Sequence, residues 1–190
     1  MNLKRYSKQG LLSLFLICAF PVHFWTLLLV LRDMSWAIQR TNAWDAIGLA
    51  SYGLLYALVE CILLFCVVAC LGFILPSGWN VDKGIAFLSL LFLLTAAWAM
   101  LAQLFFIWNF SLPAWLLKSL AHSAHPLRTL YAGSLVVVVP TILLPVILFI
   151  RSSKVVSFMK DLIERVGPLS MLYLFFDLVG FIIVLVRNLA

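Results

Sequence analysis

The sequence has few charged residues and no long polar segment, and these two absences exclude a separate water-soluble domain. Only 11% of its 190 residues are charged and 65% are hydrophobic, whereas soluble domains have about 25% charged residues. The polar connections are all shorter than the roughly 50 residues that a small domain needs. Lipid must therefore be the solvent for most of the chain. We interpret residues 1–190 as a single integral membrane domain.

The chain also lacks the short motifs that identify common catalytic and nucleotide-binding sites. It contains no G-x-x-x-x-G-K-[ST], H-E-x-x-H, G-x-S-x-G or C-x-x-C. Two acids inside apolar runs could indicate a membrane peptidase, but neither lies in a recognisable catalytic motif. We therefore predict no catalytic residue. The sequence favours a protein that is not an enzyme, and it leaves any cofactor unknown.

Cysteine and histidine are scarce, and their spacing predicts no metal site. The four cysteines all lie inside apolar runs: Cys18, Cys61, Cys66 and Cys70. This placement argues against a disulfide framework. Cys66 and Cys70 are one helical turn apart without a His or acid in register, which favours apolar filler over a metal or redox site. His122 and His125 have a metal-binding spacing but no third ligand.

The formal net charge of +6 comes from basic residues in the connections between apolar runs. No aromatic-basic cluster suggests base stacking, so we expect no nucleic acid partner. With the N-terminus inside, the inner segments hold eight Lys and Arg: Lys4, Arg5, Lys8, Lys83, Arg151, Lys154, Lys160 and Arg165. The outer segments hold five: Arg32, Arg40, Lys118, Arg128 and Arg187. This excess predicts a multi-pass protein of the cell membrane with a cytoplasmic N-terminus and an external C-terminus.

Five apolar runs reach or approach the ~20 residues that a transmembrane helix needs. They cover residues 11–31, 46–75, 84–107, 130–150 and 169–186. The first run follows Lys4, Arg5 and Lys8, as in a signal peptide, but it is too long for a signal sequence and no A-x-A site follows it. The predicted fold class is therefore all-α, a polytopic transmembrane helical bundle of about five spans.

Two connections have the pattern of short interfacial amphipathic helices. Residues 154–166 place apolar and charged side chains on opposite sides of a helix, and Gly167–Pro168 is expected to break it before the last span. A connector lying on the lipid surface and a partner-binding helix both fit this segment. In residues 110–130, Ser111 can cap a helix and Pro113 suits its first turn. Pro126 is expected to end this helix. This segment predicts a short outer helix, with a re-entrant segment as the alternative.

Two acids lie near the middle of predicted spans, Glu60 in the second and Asp177 in the fifth. A charge in hydrocarbon costs at least about 2.5 kcal/mol, so an intramembrane carboxylate is a candidate functional site. No Lys or Arg lies at this depth, and His23 in the first span is the basic group nearest to it. Tyr56 and Tyr173 each precede one acid by a helical turn, where a phenol can donate to a carboxylate.

These groups belong to helical stripes of small and polar residues, which we expect to face one another and turn away from lipid. The candidate intramembrane polar site comprises His23, Tyr56, Glu60, Gln103, Tyr173 and Asp177. Counted from the inner ends of their spans, Glu60, His23 and Asp177 stand about 22, 18 and 12 Å up. These heights allow one cluster, or a ladder with the histidine between the two acids.

Three functional hypotheses remain open at this point. A non-catalytic structural or interaction subunit, with the lipid bilayer and other membrane subunits as partners, is favoured by the short connections and the missing motifs. A small transporter or substrate-binding subunit would use Glu60, His23 and Asp177 as a proton or cation pathway. A membrane enzyme acting on a lipid would need several polar residues at one interface, where the outer connection offers His122 and His125.

Overall fold

The computed structural model describes residues 6–76, 78–107 and 111–189, apart from the side chains of residues 105 and 106. Over these ranges the regular secondary structure is helical, without strands. The helices are α1 (Lys8–Arg40), α2 (Ala43–Leu71), α3 (Val81–Ile107), α4 (Ala114–Ala121), α5 (Pro126–Arg151) and α6 (Ser153–Leu189). A single 3₁₀ turn, Gly72–Ile74, follows α2. Lys4 and Arg5, used above for orientation, and Phe110 lie outside the described residues.

Five of these helices are long and apolar enough to cross a membrane: α1, α2, α3, α5 and α6. The predicted all-α class is confirmed, and the number of span-length apolar helices equals the five predicted. With 33 and 37 residues, α1 and α6 are about 50 and 55 Å long and extend beyond a hydrocarbon core of about 30 Å. The fold fits a multi-pass membrane protein.

The turn between α1 and α2 consists of two residues whose side chains close both helix ends. Thr41 Oγ1 donates to the carbonyl of Ala37 at 2.8 Å, in the last turn of α1. Asn42 caps α2, because its side-chain oxygen accepts from the backbone N–H of Asp45 at 2.9 Å. Such bonds pair backbone groups that a helix end otherwise leaves free. The short turn makes α1 and α2 antiparallel neighbours.

The predicted helix break at Gly167–Pro168 is wrong, because α6 continues through both residues. Proline lacks an N–H and removes one backbone hydrogen bond, but packing against α1 supports the helix at this level. Gly167 is buried, and Ser170 Oγ donates to the carbonyl of Leu16 at 2.7 Å. Residues 154–166 are helical as predicted, but they form the first turns of α6 instead of a separate surface helix.

The connection between α3 and α5 contains a short helix, as predicted, although its ends differ from those expected. α4 begins after Pro113, which has no capping side-chain bond, and ends at Ala121. Pro126, predicted to end this helix, is instead the first residue of α5. A proline at that position loses nothing, because the first N–H groups of a helix have no intrahelical partner.

The bundle is built around α1, which packs against α2, α3 and α6. The main core is apolar and comprises Leu14, Ile17, Cys18, Ala19, Cys61, Val68, Ile85, Leu88, Phe92 and Val166. A second core lies near the start of α3, the end of α5 and the start of α6 and comprises Ala86, Leu90, Phe149 and Met159. Most α5 side chains are exposed at the edge of the bundle. Polar groups on α1 can therefore be shielded from lipid far more completely than those on α5.

Candidate functional site

α1 and α6 run parallel in a constant register that places their polar groups opposite each other. Ser170 on α6 bonds to the carbonyl of Leu16 on α1, and seven residues further along both helices Asp177 lies opposite His23. The two residues of each pair are separated by 154 positions. A seven-residue repeat keeps the same faces of two packed helices in contact. This register brings the acid of the last span to the histidine of the first.

The His23–Asp177 pair shares one proton in the centre of the bundle. His23 Nε2 lies 2.9 Å from Asp177 Oδ2, and His23 Nδ1 lies 2.8 Å from the carbonyl oxygen of Ala19. Since a carbonyl oxygen only accepts, Nδ1 carries a hydrogen. The Nε2–Oδ2 contact then contains one further proton, on the carboxyl or on the imidazole. The pair has zero net charge in either form, so Asp177 needs no cation from outside the bundle.

Aromatic rings and apolar side chains enclose this pair. His23 is fully buried and Asp177 is 2% exposed. Tyr173 stacks on the His23 ring, with centroids 5.9 Å apart and planes 9° apart, and Phe20 packs against Tyr173. Tyr173 thus makes a ring contact here in place of the hydrogen bond to Asp177 that its spacing suggested.

The second carboxyl oxygen of Asp177 is less well satisfied than the first. Oδ1 is buried and has no hydrogen-bond partner among the described residues. A buried acceptor left without a partner costs about 1–3 kcal/mol. Oδ1 can therefore accept a further hydrogen bond, although the atom lies inside the packed bundle and not in a cleft open to its surface.

Tyr56 and Glu60 lie on the outer perimeter of the bundle, so the expectation that their stripe faces the other helices is wrong for these residues. Tyr56 is 80% exposed and Glu60 is also exposed. Ala57 and Cys61 occupy the core-facing side of α2. Successive residues of a helix are rotated by about 100°, which turns Tyr56 about 100° and Glu60 about 60° away from Ala57. The packing of α2 therefore separates Glu60 from the His23–Asp177 pair.

Glu60 has no hydrogen bond and no ion pair within the part of the chain that the structure describes. It lies near the middle of its helix, about 22 Å along the axis from Asp45 and about 18 Å from Gly72. Basic side chains lie near the ends of the spans, and His23 is already bonded to Asp177. Glu60 is consequently an acid near the middle of a span-length apolar helix, without a polar partner among the described residues.

Gln103 belongs to a different helix contact from the His23–Asp177 pair. Its side-chain oxygen accepts a hydrogen bond from the indole N–H of Trp25, which joins α3 to α1. A similar bond joins α3 to α5, where Trp98 Nε1 donates to Thr141 Oγ1 at 3.0 Å. The sequence does not single out either tryptophan, because within an apolar run nothing distinguishes a tryptophan that donates a hydrogen bond to another helix from one that anchors the helix at the membrane interface.

A cleft of about 330 Å³ opens between α1 and α2, in the half of the bundle nearest their connecting turn. Its lining residues are Leu29, Val30, Asp33, Met34, Ala37, Ala46, Leu49, Ala50, Tyr52, Gly53 and Tyr56. Tyr56 lies at the end furthest from the turn, and Glu60 follows it by one turn on the same helix. The sequence did not reveal this cleft, because small residues between two helices usually indicate tight packing.

Within the described residues, the cysteines and the histidines near α4 form no metal-binding set. Cys18 and Cys61 are buried, whereas Cys66 and Cys70 are exposed on α2. His122 and His125 are exposed at the end of α4 and the start of α5. Across residues 6–76, 78–107 and 111–189, no three His, Cys, Asp or Glu side chains are grouped so that they could hold a metal ion.

Comparison with protein-family models, with curated proteins and with solved structures finds no match to this chain. The arrangement of the chain's own side chains is therefore the guide to its function. Two features stand out, namely the enclosed His23–Asp177 pair and the exposed Glu60 beside the α1–α2 cleft.

Proposed function

We propose that this protein is a non-catalytic interaction subunit of a membrane complex, and that it binds its partner through the perimeter face of α2. This face includes the exposed side chains of Tyr56, Glu60 and Leu63. The observation that carries the proposal is the position of Glu60, an acid near the middle of a span without a polar partner among the described residues. A carboxyl group facing hydrocarbon is costly, and a polar group from another subunit removes that cost.

The two acids differ in how the chain pairs them, and this difference supports the proposal. Asp177 is neutralised within the chain by His23, so its pair can lock α1 against α6 without any ligand. Glu60 has no such arrangement, although it also lies in a span-length apolar helix. Residues that pack a bundle together face its interior, whereas residues that recognise another subunit must remain at its surface. Glu60 fits the second description.

The topology of the proposal follows the distribution of basic residues. We place the N-terminus in the cytoplasm and the C-terminus outside the cell membrane, since eight Lys and Arg then lie inside and five outside. The α1–α2 turn and the cleft beside it are then on the external half of the membrane domain. A partner that occupies this face would be another integral membrane protein.

A photo-crosslinking experiment in intact cells tests the interaction. Leu63 is replaced by a photo-reactive phenylalanine derivative, with the same replacement at Leu172, exposed on α6, as the control position. We expect an adduct of discrete mass from position 63 and none of that mass from position 172. Glu60→Gln should abolish the adduct, and Asp161→Asn, which changes an exposed acid on α6, should leave it. An adduct that persists in Glu60→Gln would contradict the proposal.

A small transporter is the second candidate, favoured by the unpaired buried oxygen of Asp177. An acceptor of this kind inside a bundle is a feature of proton and cation pathways. Flux measured in liposomes distinguishes the two functions, using Glu60→Gln and Asp177→Asn. Loss of a proton- or cation-dependent flux with assembly intact would support transport. Loss of assembly alone in Glu60→Gln would support the interaction subunit.

A further inference from the structure

The cleft between α1 and α2 and the acid below it form one continuous surface. Small side chains line the cleft on both helices: Ala37 on α1, and Ala46, Ala50 and Gly53 on α2. Along α2 the lining extends from Ala46 to Tyr56, which is about 15 Å of helix, and Glu60 lies about 6 Å beyond. We propose that this surface binds one transmembrane helix of a different protein, and that this helix carries a Lys or Arg opposite Glu60.

The lining of the cleft suits contact with a helix, because four of its eleven residues are Ala or Gly. Two membrane helices approach most closely where their contact faces have small residues, because the backbones can then pack together. The cleft is open at the surface of the bundle, so larger side chains of a neighbouring helix can enter between α1 and α2. Its volume of about 330 Å³ is at the lower end of the range of about 300–1,000 Å³ for small-molecule pockets.

The carboxyl group of Glu60 and its position near mid-helix indicate the chemistry of the partner. An acid in a low-dielectric environment is stabilised most effectively by a basic group at the same depth. A lipid acyl chain could fill the cleft, but it offers no charge to Glu60. The headgroup layer is also distant, since Asp45 near the outer end of α2 lies about 22 Å along the helix. A basic side chain on a transmembrane helix satisfies both requirements, namely depth and charge.

A second copy of this chain is a poor candidate for that helix. Its Lys and Arg residues lie outside the central parts of the apolar runs, so none can reach a Glu60 carboxyl near mid-helix. Its intramembrane histidine, His23, is fully buried and bonded to Asp177. The required cation must therefore come from a different polypeptide.

Binding of synthetic transmembrane peptides in liposomes tests this inference, which rests on the proposed interaction function. The purified full-length protein, labelled with a fluorescent donor, is mixed with acceptor-labelled Leu-Ala helices that carry a central Lys, Leu or Glu. We expect the Lys peptide to bind about tenfold more tightly than the Leu peptide, since interhelical polar contacts in bilayers contribute about 1–2 kcal/mol. Glu60→Gln should remove this preference. Equal binding of all three peptides would overturn the inference.

A second pair of variants tests whether the peptide occupies the cleft. Ala50→Leu adds bulk to the cleft lining. It should weaken the binding of both the Lys and the Leu peptide, because it removes the space for their side chains. Gly133→Leu is the matched control, since a Cβ at Gly133 on α5 meets nothing within 4 Å, and it should leave binding unchanged. If the Ala50→Leu protein keeps its helicity and its monomer size but binds the peptides as tightly as before, the peptide lies elsewhere and the inference is wrong.

The proposed interaction function and the inferred basic helix can fail separately. If the Glu60-dependent adduct forms in cells but liposomes show no preference for the Lys peptide, the interaction function stands and the basic helix is wrong. If the Lys peptide binds selectively but cells yield no adduct, the surface has the inferred chemistry and the proposed function is wrong. Preference for the Glu peptide would indicate carboxyl–carboxyl hydrogen bonding and would also overturn the inference.

Discussion

His23 on α1 and Asp177 on α6 are joined by a 2.9 Å hydrogen bond across two parallel helices. Leu16 and Ser170 repeat the same register one heptad earlier, with a 2.7 Å bond. The two bonds are about 10 Å apart along the helices. They fix both the rotation and the height of α6 against α1, because a slip by one residue would separate both pairs at once.

Removing one member of the His23–Asp177 pair should destabilise the isolated protein. His23→Leu or Asp177→Leu leaves the other side chain buried and unpaired, which we expect to cost about 2–4 kcal/mol. The double variant should cost less than the sum of the two, because no unpaired group then remains. Unfolding in detergent measures these free energies, and Glu164→Leu, at an exposed acid of α6, is the control. Additive losses would show that the pair contributes no coupling.

Enlarging Gly180 should separate α6 from α2. A Cβ at this position would lie 3.4 Å from the backbone oxygen of Ser51, so Gly180→Ala fits with ordinary contacts. Gly180→Leu does not fit, and we expect it to lower the free energy of unfolding by about 1–3 kcal/mol. Gly133→Leu on α5 is the matched control, because its surroundings are open. Equal effects of the two leucine variants would contradict the close approach of α2 and α6.

Arg187 connects the C-terminal end of α6 to the first turn of α2. Its guanidinium donates to the carbonyl of Trp44 at 2.6 Å and to Asp45 at 2.7 Å. Arg187→Ala should lower the free energy of unfolding by up to about 1 kcal/mol, since both partners are partly exposed and screened by salt. A Cβ at Gly48 would overlap the guanidinium, so Gly48→Ala should have little further effect in Arg187→Ala. A full additional loss would contradict this contact.

The orientation of the chain can be measured by labelling single cysteines with a membrane-impermeant maleimide. In a background in which Cys66 and Cys70 are alanine, we expect Asn42→Cys in the α1–α2 turn to react in intact cells. Ser152→Cys, between α5 and α6, should react only after the membrane is permeabilised, because we place this connection in the cytoplasm. The reverse pattern would invert the proposed topology.

Several features could be read from the sequence because they depend on composition and local spacing. Runs of about 20 apolar residues predict spanning helices, since every backbone polar group in lipid must be bonded within its own segment. The positions of α1 and α5 follow directly from such runs. The Gly167–Pro168 break could not be judged in this way, because contacts with α1 sustain α6 where local propensity predicts an end.

The candidate site likewise has features that the sequence determines and features that depend on tertiary packing. Sequence alone selected His23, Glu60 and Asp177, because an ionisable group in an apolar run is conspicuous wherever the run lies in the fold. Both acids follow a tyrosine by one turn, and this spacing does not distinguish an inward from an outward position. The rotation of each helix about its own axis decides whether a residue faces inward or outward, and that rotation depends on side chains from several helices. Tertiary packing alone therefore placed Asp177 against His23 and left Glu60 on the perimeter, since a helix's core-facing side is set by its neighbours.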